Sequence, residues 1–213
     1  MRHIMIMNPK GGCGKSTIAT SLAAYYASQG LNVALADYDP QYSSMDWLAR
    51  RPADRPEIKG VDAAKDGLRH LPRSADVVVM DAPARTHGSE LTSLVAHADT
   101  ILVPVLPSSI DMSATTRFIN DLRANSRVSS KKTRVAALAN RVRDNTKIAD
   151  ELDEYMQKLK VSYVSWLREA QNYVRAYSRG LGIHELPEYL AWPDWQQWEQ
   201  LIEYLNSKRS QPD

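Results

Sequence analysis

The residues with the clearest chemistry form one stretch near the start of the chain: Pro9-Lys10-Gly11-Gly12-Cys13-Gly14-Lys15-Ser16-Thr17. Three glycines let a backbone curl without side chains in the way, so its N–H groups can face an anion. An apolar run, His3 to Asn8, precedes this stretch, and a helical pattern follows it from about Lys15 to Gln29. A strand that stops at a glycine loop and restarts as a helix also points the positive end of the helix dipole at the same place. Lys15 stands where it can meet the β- and γ-phosphates of a nucleotide, and Ser16 where its hydroxyl can ligate Mg²⁺. Nucleotide phosphate binding is the chemistry expected.

The elements that must hold this loop can be read outward from it. Apolar runs alternate with helical segments, the pattern of parallel strands joined by crossover helices. Strands are expected at Asn32–Tyr38, Asp76–Asp81, Thr100–Leu106, Arg134–Val142 and Val161–Leu167, besides the first run. Helices are expected near Asp111, around Thr146–Lys160, and over Trp195–Asn206 behind an Asp194 cap. Arg51–Gly60, with two prolines and five charges, reads as an exposed loop, and Asn125–Thr133 as a basic turn. The alternation implies roughly seven strands, these six among them, in an α/β, doubly wound, mostly parallel sheet with helices on both faces. At 213 residues the chain is expected to be one domain, 1–213, around one core.

Composition narrows the setting. No run of 18 apolar residues occurs, and the first residues meet glycines too early for a secretory signal, so a cytoplasmic protein is expected. One cysteine, Cys13, excludes an internal disulfide and an iron–sulfur cluster held by several thiolates. Its place at a helix start gives either a thiol of lowered pKa or a small residue filling the loop. The histidines, His3, His70, His87, His97 and His184, show no metal-ligand spacing. A net charge of +2 leaves a basic surface to be local rather than global.

One departure within the loop is informative. The common phosphate-loop pattern has glycine where Pro9 stands, and Lys10 supplies a second lysine directly before Gly11-Gly12. With Lys-Gly-Gly-x-Gly-Lys-Ser the chain resembles the ParA/MinD family of deviant Walker A ATPases, over nearly its whole length. The resemblance implies ATP and Mg²⁺ as ligands and slow, partner-stimulated hydrolysis of ATP. It also implies a homodimer closed face to face on two nucleotides, with Lys10 reaching the nucleotide of the second subunit. Lys10, Gly11, Gly12, Cys13, Gly14, Lys15, Ser16 and Thr17 would line the phosphates. Asp37-Tyr38-Asp39-Pro40-Gln41 looks like the family's second motif: Asp39 would orient the attacking water, and Asp37 would lie near the metal. Asp39 read alone could instead cap a helix before Pro40. Val77-Val78-Val79-Met80-Asp81 has the form of a Walker B strand, with Asp81 on Mg²⁺ and Ala82-Pro83-Ala84-Arg85 as the segment that senses the γ-phosphate. Asn140-Arg141-Val142-Arg143 lacks the guanine-reading Asn-Lys-x-Asp pattern, so Asn140 either contacts adenine or caps a turn.

Three classes of cargo share this engine. The stripe Trp195, Trp198, Leu201, Ile202 and Leu205 could lie on a membrane, but Glu199 and Glu203 would face the lipid charge, and a terminal core helix is favoured. Arg168, Arg175 and Arg179, seven and four residues apart, would align on one side of a helix and offer DNA a basic face doubled by dimer symmetry. By resemblance to compact ParA-like members, the chain would bind DNA non-specifically on the nucleoid. It would partition or position a plasmid, a chromosome locus or a protein assembly, with a separate adaptor or centromere-binding partner. A metabolic enzyme of the same fold, or a MinD-like membrane ATPase, is the alternative.

Overall fold

The computed structural model describes all residues from Met1 to Asp213. In chain order the first half runs β1 (Arg2–Ile6), α1 (Lys15–Ser28), β2 (Val33–Asp37), α2 (Ser43–Ala49), β3 (Ile58–Asp62), α3 (Ala63–Asp66), β4 (Val77–Asp81) and α4 (Gly88–Ala96). The second half runs β5 (Thr100–Val105), α5 (Ser109–Ala124), α6 (Ser126–Ser129), β6 (Arg134–Val142), α7 (Lys147–Lys158), β7 (Ser162–Arg168), α8 (Gln171–Ser178) and α9 (Glu188–Asn206).

The seven strands pair in the order β3-β2-β4-β1-β5-β6-β7, and every pairing is parallel. Strands buried on both faces must be apolar at every position, and β4 is Val-Val-Val-Met before its aspartate. Alternate residues then serve opposite layers. Ile4, Ile6, Val33, Leu35, Val77 and Val79 pack with α1, α8 and α9 on one face. Met5, Ala34, Ala36, Val78, Met80 and Val103 pack with α4, α5 and α7 on the other. This is the expected doubly wound sheet, with helices on both sides.

Three local expectations are corrected. The segment read as a loop over Arg51–Gly60 enters β3 at Ile58, an edge strand whose Ile58 and Val61 are buried while Lys59 is exposed. Two prolines upstream and a charge inside the strand masked it. The basic turn contains a single helical turn, α6. The last helix begins at Glu188 rather than after Asp194 and carries Pro193 within it, so Asp194 is no cap. Asp194 is instead fully buried, and it accepts from Arg168 Nε at 2.6 Å and from Asn172 Nδ2 at 2.7 Å.

Trp198, Leu201, Ile202 and Leu205 are buried, with Trp195 packed against the same core. The aromatic stripe of α9 is therefore a core face. No helix is long and apolar enough to cross a membrane.

Candidate functional site

The site is built on the ends of three neighbouring strands. The glycine loop leaves β1, and in the sheet register Ile6 pairs with Asp81 while Asp81 pairs with Asp37. Parallel strands bring both carboxylates to the C-terminal edge beside the loop, where such sheets bind ligands. Gly14 sits at φ 92°, and a Cβ there would collide with the side-chain amide of Asn140. The loop can close against β6 only with glycine at that position.

Within the loop, the Lys15 ammonium donates to the carbonyl oxygen of Lys10 at 3.1 Å. It thus lies folded back over the curl of backbone it would share with a phosphate. Lys15 is buried, whereas Lys10 is partly exposed and makes no ion pair. The Lys10 N–H is held by Asn8 Oδ1 at 2.9 Å. Cys13 is buried, and its thiol donates to the Lys10 carbonyl at 3.3 Å. Burial pushes that thiol up from its ordinary pKa, which removes the reactive-thiol reading and leaves a small residue filling the loop.

Asp81 is the most perturbed acid. It is fully enclosed, and burial pushes its carboxyl up to about 7, partly offset by the hydroxyls of Ser16 and Ser44. Oδ2 accepts from Ser44 Oγ at 2.8 Å. Oδ1 is buried and makes no well-formed hydrogen bond, although the Ser16 hydroxyl lies close enough to favour the ionised form. A buried carboxylate oxygen without a partner, next to a hydroxyl and a lysine, suits a hard divalent cation. Nowhere do three His, Cys, Asp or Glu side chains gather as a ready-made metal cage. A cation here would take its other ligands from phosphate and water, the habit of Mg²⁺.

Asp37 is held by three backbone N–H groups. Oδ1 accepts from Asp39 N at 3.0 Å, and Oδ2 accepts from Ser44 N at 2.9 Å and Met45 N at 3.1 Å. Both oxygens are spent on the turn that carries Asp39 and on the start of α2. Burial raises its pKa, and those three backbone N–H groups counter the rise. Asp39 is partly exposed in the cleft wall, with Oδ1 taking the Gln41 N–H at 2.9 Å. It caps that short turn as well as facing the cleft.

Two clefts meet over the loop. The first, about 680 Å³, is lined by the loop residues Gly11, Gly12 and Gly14 to Thr17, though not by the buried Cys13 side chain, together with Asp39, Gln41, Ser43 and Arg85. The second, about 690 Å³, continues from Gly12 and Thr17 past Asn140, Arg141, Leu167, Tyr173 and Val174. The first is lined mainly by polar groups that suit phosphates; the second has more of the apolar wall that a base needs.

Asn140 lies inside β6, so the turn-cap reading does not hold. Its Nδ2 donates to the Cys13 carbonyl at 2.8 Å, which pins the loop, and its Oδ1 makes no protein hydrogen bond. Arg141 and Arg143 share the Glu169 carboxylate, which they hold below the usual carboxylate range.

Sequence reasoning passed over Tyr177. It lines both clefts, its hydroxyl donates to the Ser43 carbonyl at 2.7 Å, and the Arg50 guanidinium lies 5.4 Å from its ring centroid. Nothing in a lone tyrosine so far along the chain signals that packing. Ser44 was equally silent, although it follows the Asp-Pro-Gln stretch by three residues.

The three arginines proposed as one helical face are not on one helix. Arg168 ends β7, Arg175 is on α8 and Arg179 follows its last turn, because the chain changes from strand to helix at Glu169-Ala170. Arg168 is bound to buried Asp194, whereas Arg175 and Arg179 are exposed.

Comparison with known proteins agrees with this geometry. The family model described as the CobQ/CobB/MinD/ParA nucleotide binding domain matches residues 4–183. Maintenance of carboxysome distribution protein A from Halothiobacillus neapolitanus is 28% identical over 189 residues, covering 86% of this chain and 87% of that protein. The chromosome-partitioning ATPase Soj of Thermus thermophilus is 38% identical over 86 residues, 37% of this chain and 34% of that one. Among solved structures, apo McdA of Cyanothece superposes with a TM-score of 0.76 at 18% identity, covering 97% of this chain and all of that one.

Proposed function

This chain belongs to the CobQ/CobB/MinD/ParA nucleotide-binding family, and on that premise we propose that it is an ATP hydrolase whose ATP-closed homodimer positions or partitions a cargo on DNA. The observation that carries the reading is the meeting, in one 680 Å³ cleft, of the loop lysine Lys15, the loop hydroxyls Ser16 and Thr17, and Asp39, with Asp81 beneath them.

The chemistry asks little covalent work of the protein, since phosphoryl transfer runs on positioning and charge. The backbone N–H groups from Gly11 to Thr17 and the Lys15 ammonium bind the β- and γ-phosphates. For Lys15 this means exchanging the Lys10 carbonyl for phosphate oxygens. Ser16 and Asp81 would hold Mg²⁺, which would supply neutralising charge at the phosphates. Asp37 braces the turn so that Asp39 faces the γ-phosphate end of the cleft and holds the attacking water there. The free Asn140 Oδ1 accepts from the exocyclic amine of adenine. Lys10, unpaired and partly exposed, reaches the nucleotide of a second copy, as in the family it resembles.

The proposed cargo follows the relatives, which include proteins named for carboxysome distribution and for chromosome partition. The proposed setting is cytoplasmic and nucleoid-associated, with non-specific DNA and a separate adaptor as partners. Arg175 and Arg179 remain the exposed members of the arginine group for DNA. A MinD-like membrane role has lost its proposed anchor, because the α9 stripe is inside the core. Sedimentation of the protein with ATP, with ADP and without nucleotide, each with and without duplex DNA, tests the reading. It predicts the dimer, and a DNA complex of the dimer, with ATP alone; a monomer under all conditions would refute it.

A further inference from the structure

Far from the glycine loop, at the opposite end of the sheet, β6 and β7 begin side by side. A cleft of about 470 Å³ opens there. Arg123, Lys131, Arg134, Lys160 and Arg209 line it, and no carboxylate does. Five like charges gathered around one hollow repel one another, in a chain of 25 acidic residues that carries only +2 overall.

The cations are held in place. Lys131 has φ 60°, a left-handed conformation that costs a non-glycine residue about 1 kcal/mol or more. Arg127 braces the same turn, donating to Thr133 Oγ1 at 3.3 Å and to the Lys132 carbonyl at 3.4 Å. Arg209 lies 5.8 Å from the Tyr204 ring centroid. Arg134 Nε donates to the Gln211 carbonyl at 2.9 Å.

An anion already sits on this surface. The Asp213 carboxylate is hydrogen-bonded to Arg134 and lies 3.8 Å from the Lys131 ammonium. The Ser162 hydroxyl adds a donor to the lining, whereas that of Ser129 is already given to the Ser126 carbonyl at 3.1 Å. None of the large exposed apolar residues, Met1, Leu31, Ile110, Val174, Tyr189 and Trp192, borders the cleft. A lipid surface or an amphipathic peptide would need such anchors, whereas a hydrated polyanion needs only charge and donors.

We propose that this cleft binds the phosphodiester backbone of nucleic acid, and does so without nucleotide in the glycine loop. This goes beyond the ATP-dependent DNA contact of the proposed function. The cleft is at the far end of the strands from the loop, so closing two loops face to face neither builds nor hides it. It contains none of Arg168, Arg175 or Arg179. Asp213 occupies two of its cations and competes with the phosphates.

The test is fluorescence anisotropy of a labelled random-sequence duplex with the nucleotide-free full chain across a salt series. Wild type should bind at low salt. Lys131→Glu combined with Arg209→Glu should weaken that binding by at least about tenfold and reduce the salt slope by about two. Asp213→Asn should tighten it, and Lys65→Glu, exposed on α3 beside the opposite edge of the sheet, should leave it unchanged. Arg123→Glu with Lys160→Glu, both exposed, repeats the test if the first pair unfolds. No binding by nucleotide-free wild type, or unchanged affinity in both double variants, would overturn the proposal. So would competition by polyglutamate equal to that of DNA at matched charge, which would make the cleft an acidic-peptide site. Loss of the ATP-dependent complex alone would count against the proposed function and leave this cleft standing.

Discussion

The Ser44 hydroxyl donates to Asp81 Oδ2 at 2.8 Å, while the Ser44 N–H donates to Asp37 Oδ2 at 2.9 Å. One residue at the start of α2 therefore aligns both strand-end carboxylates and leaves Asp81 Oδ1 as the oxygen without a partner. Ser44→Ala should cost about 1–3 kcal/mol of stability, because a buried acceptor loses its donor. It should also raise the Mg²⁺ concentration that half-saturates nucleotide binding. Urea unfolding and calorimetric ATP titration across a Mg²⁺ series check the two effects. Restoration by Ser44→Thr of the Mg²⁺ dependence separates alignment from packing.

Asp81 also sets a pH dependence for the metal-free protein. Its folded pKa, about 7, lies above the ordinary 3.8, so the folded state holds a proton that the unfolded chain has released. Between those values wild-type stability falls as pH rises. Asp81→Asn removes the term, so its stability relative to wild type should climb from pH about 4 to about 7 and then level off. Buried His184 runs the other way: its pKa falls from 6.5 to about 4, so it favours folding increasingly as pH rises through that window. Because both variants of the Asp81 comparison keep His184, the difference isolates the aspartate. Urea titrations in EDTA at several pH values measure it, and a flat difference would contradict the burial argument.

Arg168 and Arg175 should behave differently, though spacing alone made them equivalent. Arg168→Ala leaves fully buried Asp194 without its cation and should cost roughly 3 kcal/mol, seen as a lower unfolding midpoint. Arg175→Glu alters an exposed side chain, so it should leave stability within about 0.5 kcal/mol and weaken ATP-dependent DNA binding. Equal unfolding midpoints for the two variants would refute the distinction.

Those arginines also show where legibility ended. The loop, the strand-end aspartates and the α/β alternation were readable because glycines, a lysine–serine pair and all-apolar runs carry their meaning locally. A seven-and-four spacing carries it only within one helix, and the strand-to-helix change at Glu169-Ala170 broke that assumption. Asp194, standing just before Trp195–Asn206, read as a cap, yet α9 starts at Glu188 and runs through Pro193, which makes Asp194 a buried acceptor within it. The edge strand β3 gave no all-apolar run because only Ile58 and Val61 are buried, one on each face of the sheet. Contacts such as Tyr177 with Ser43, set 134 residues apart, have no local signature at all.

Lys10 and Asp39 divide the cycle between closing and turnover. Lys10→Ala should keep ATP affinity within a few-fold and lose the ATP-dependent dimer, since its ammonium has no partner within its own chain. Asp39→Ala should keep the dimer and lower turnover by a factor of about 10² or more. Light scattering and phosphate release read the two separately; a dimer in the first variant, or normal hydrolysis in the second, would reassign the residue.

The central claim is that the glycine loop binds the phosphates of ATP through Lys15, and calorimetric titration of ATP with Mg²⁺ into wild type and Lys15→Ala tests it most directly. The account predicts saturable binding by wild type and a loss of at least about a hundredfold, near 3 kcal/mol, in the variant. Equal affinity in the two proteins would contradict it.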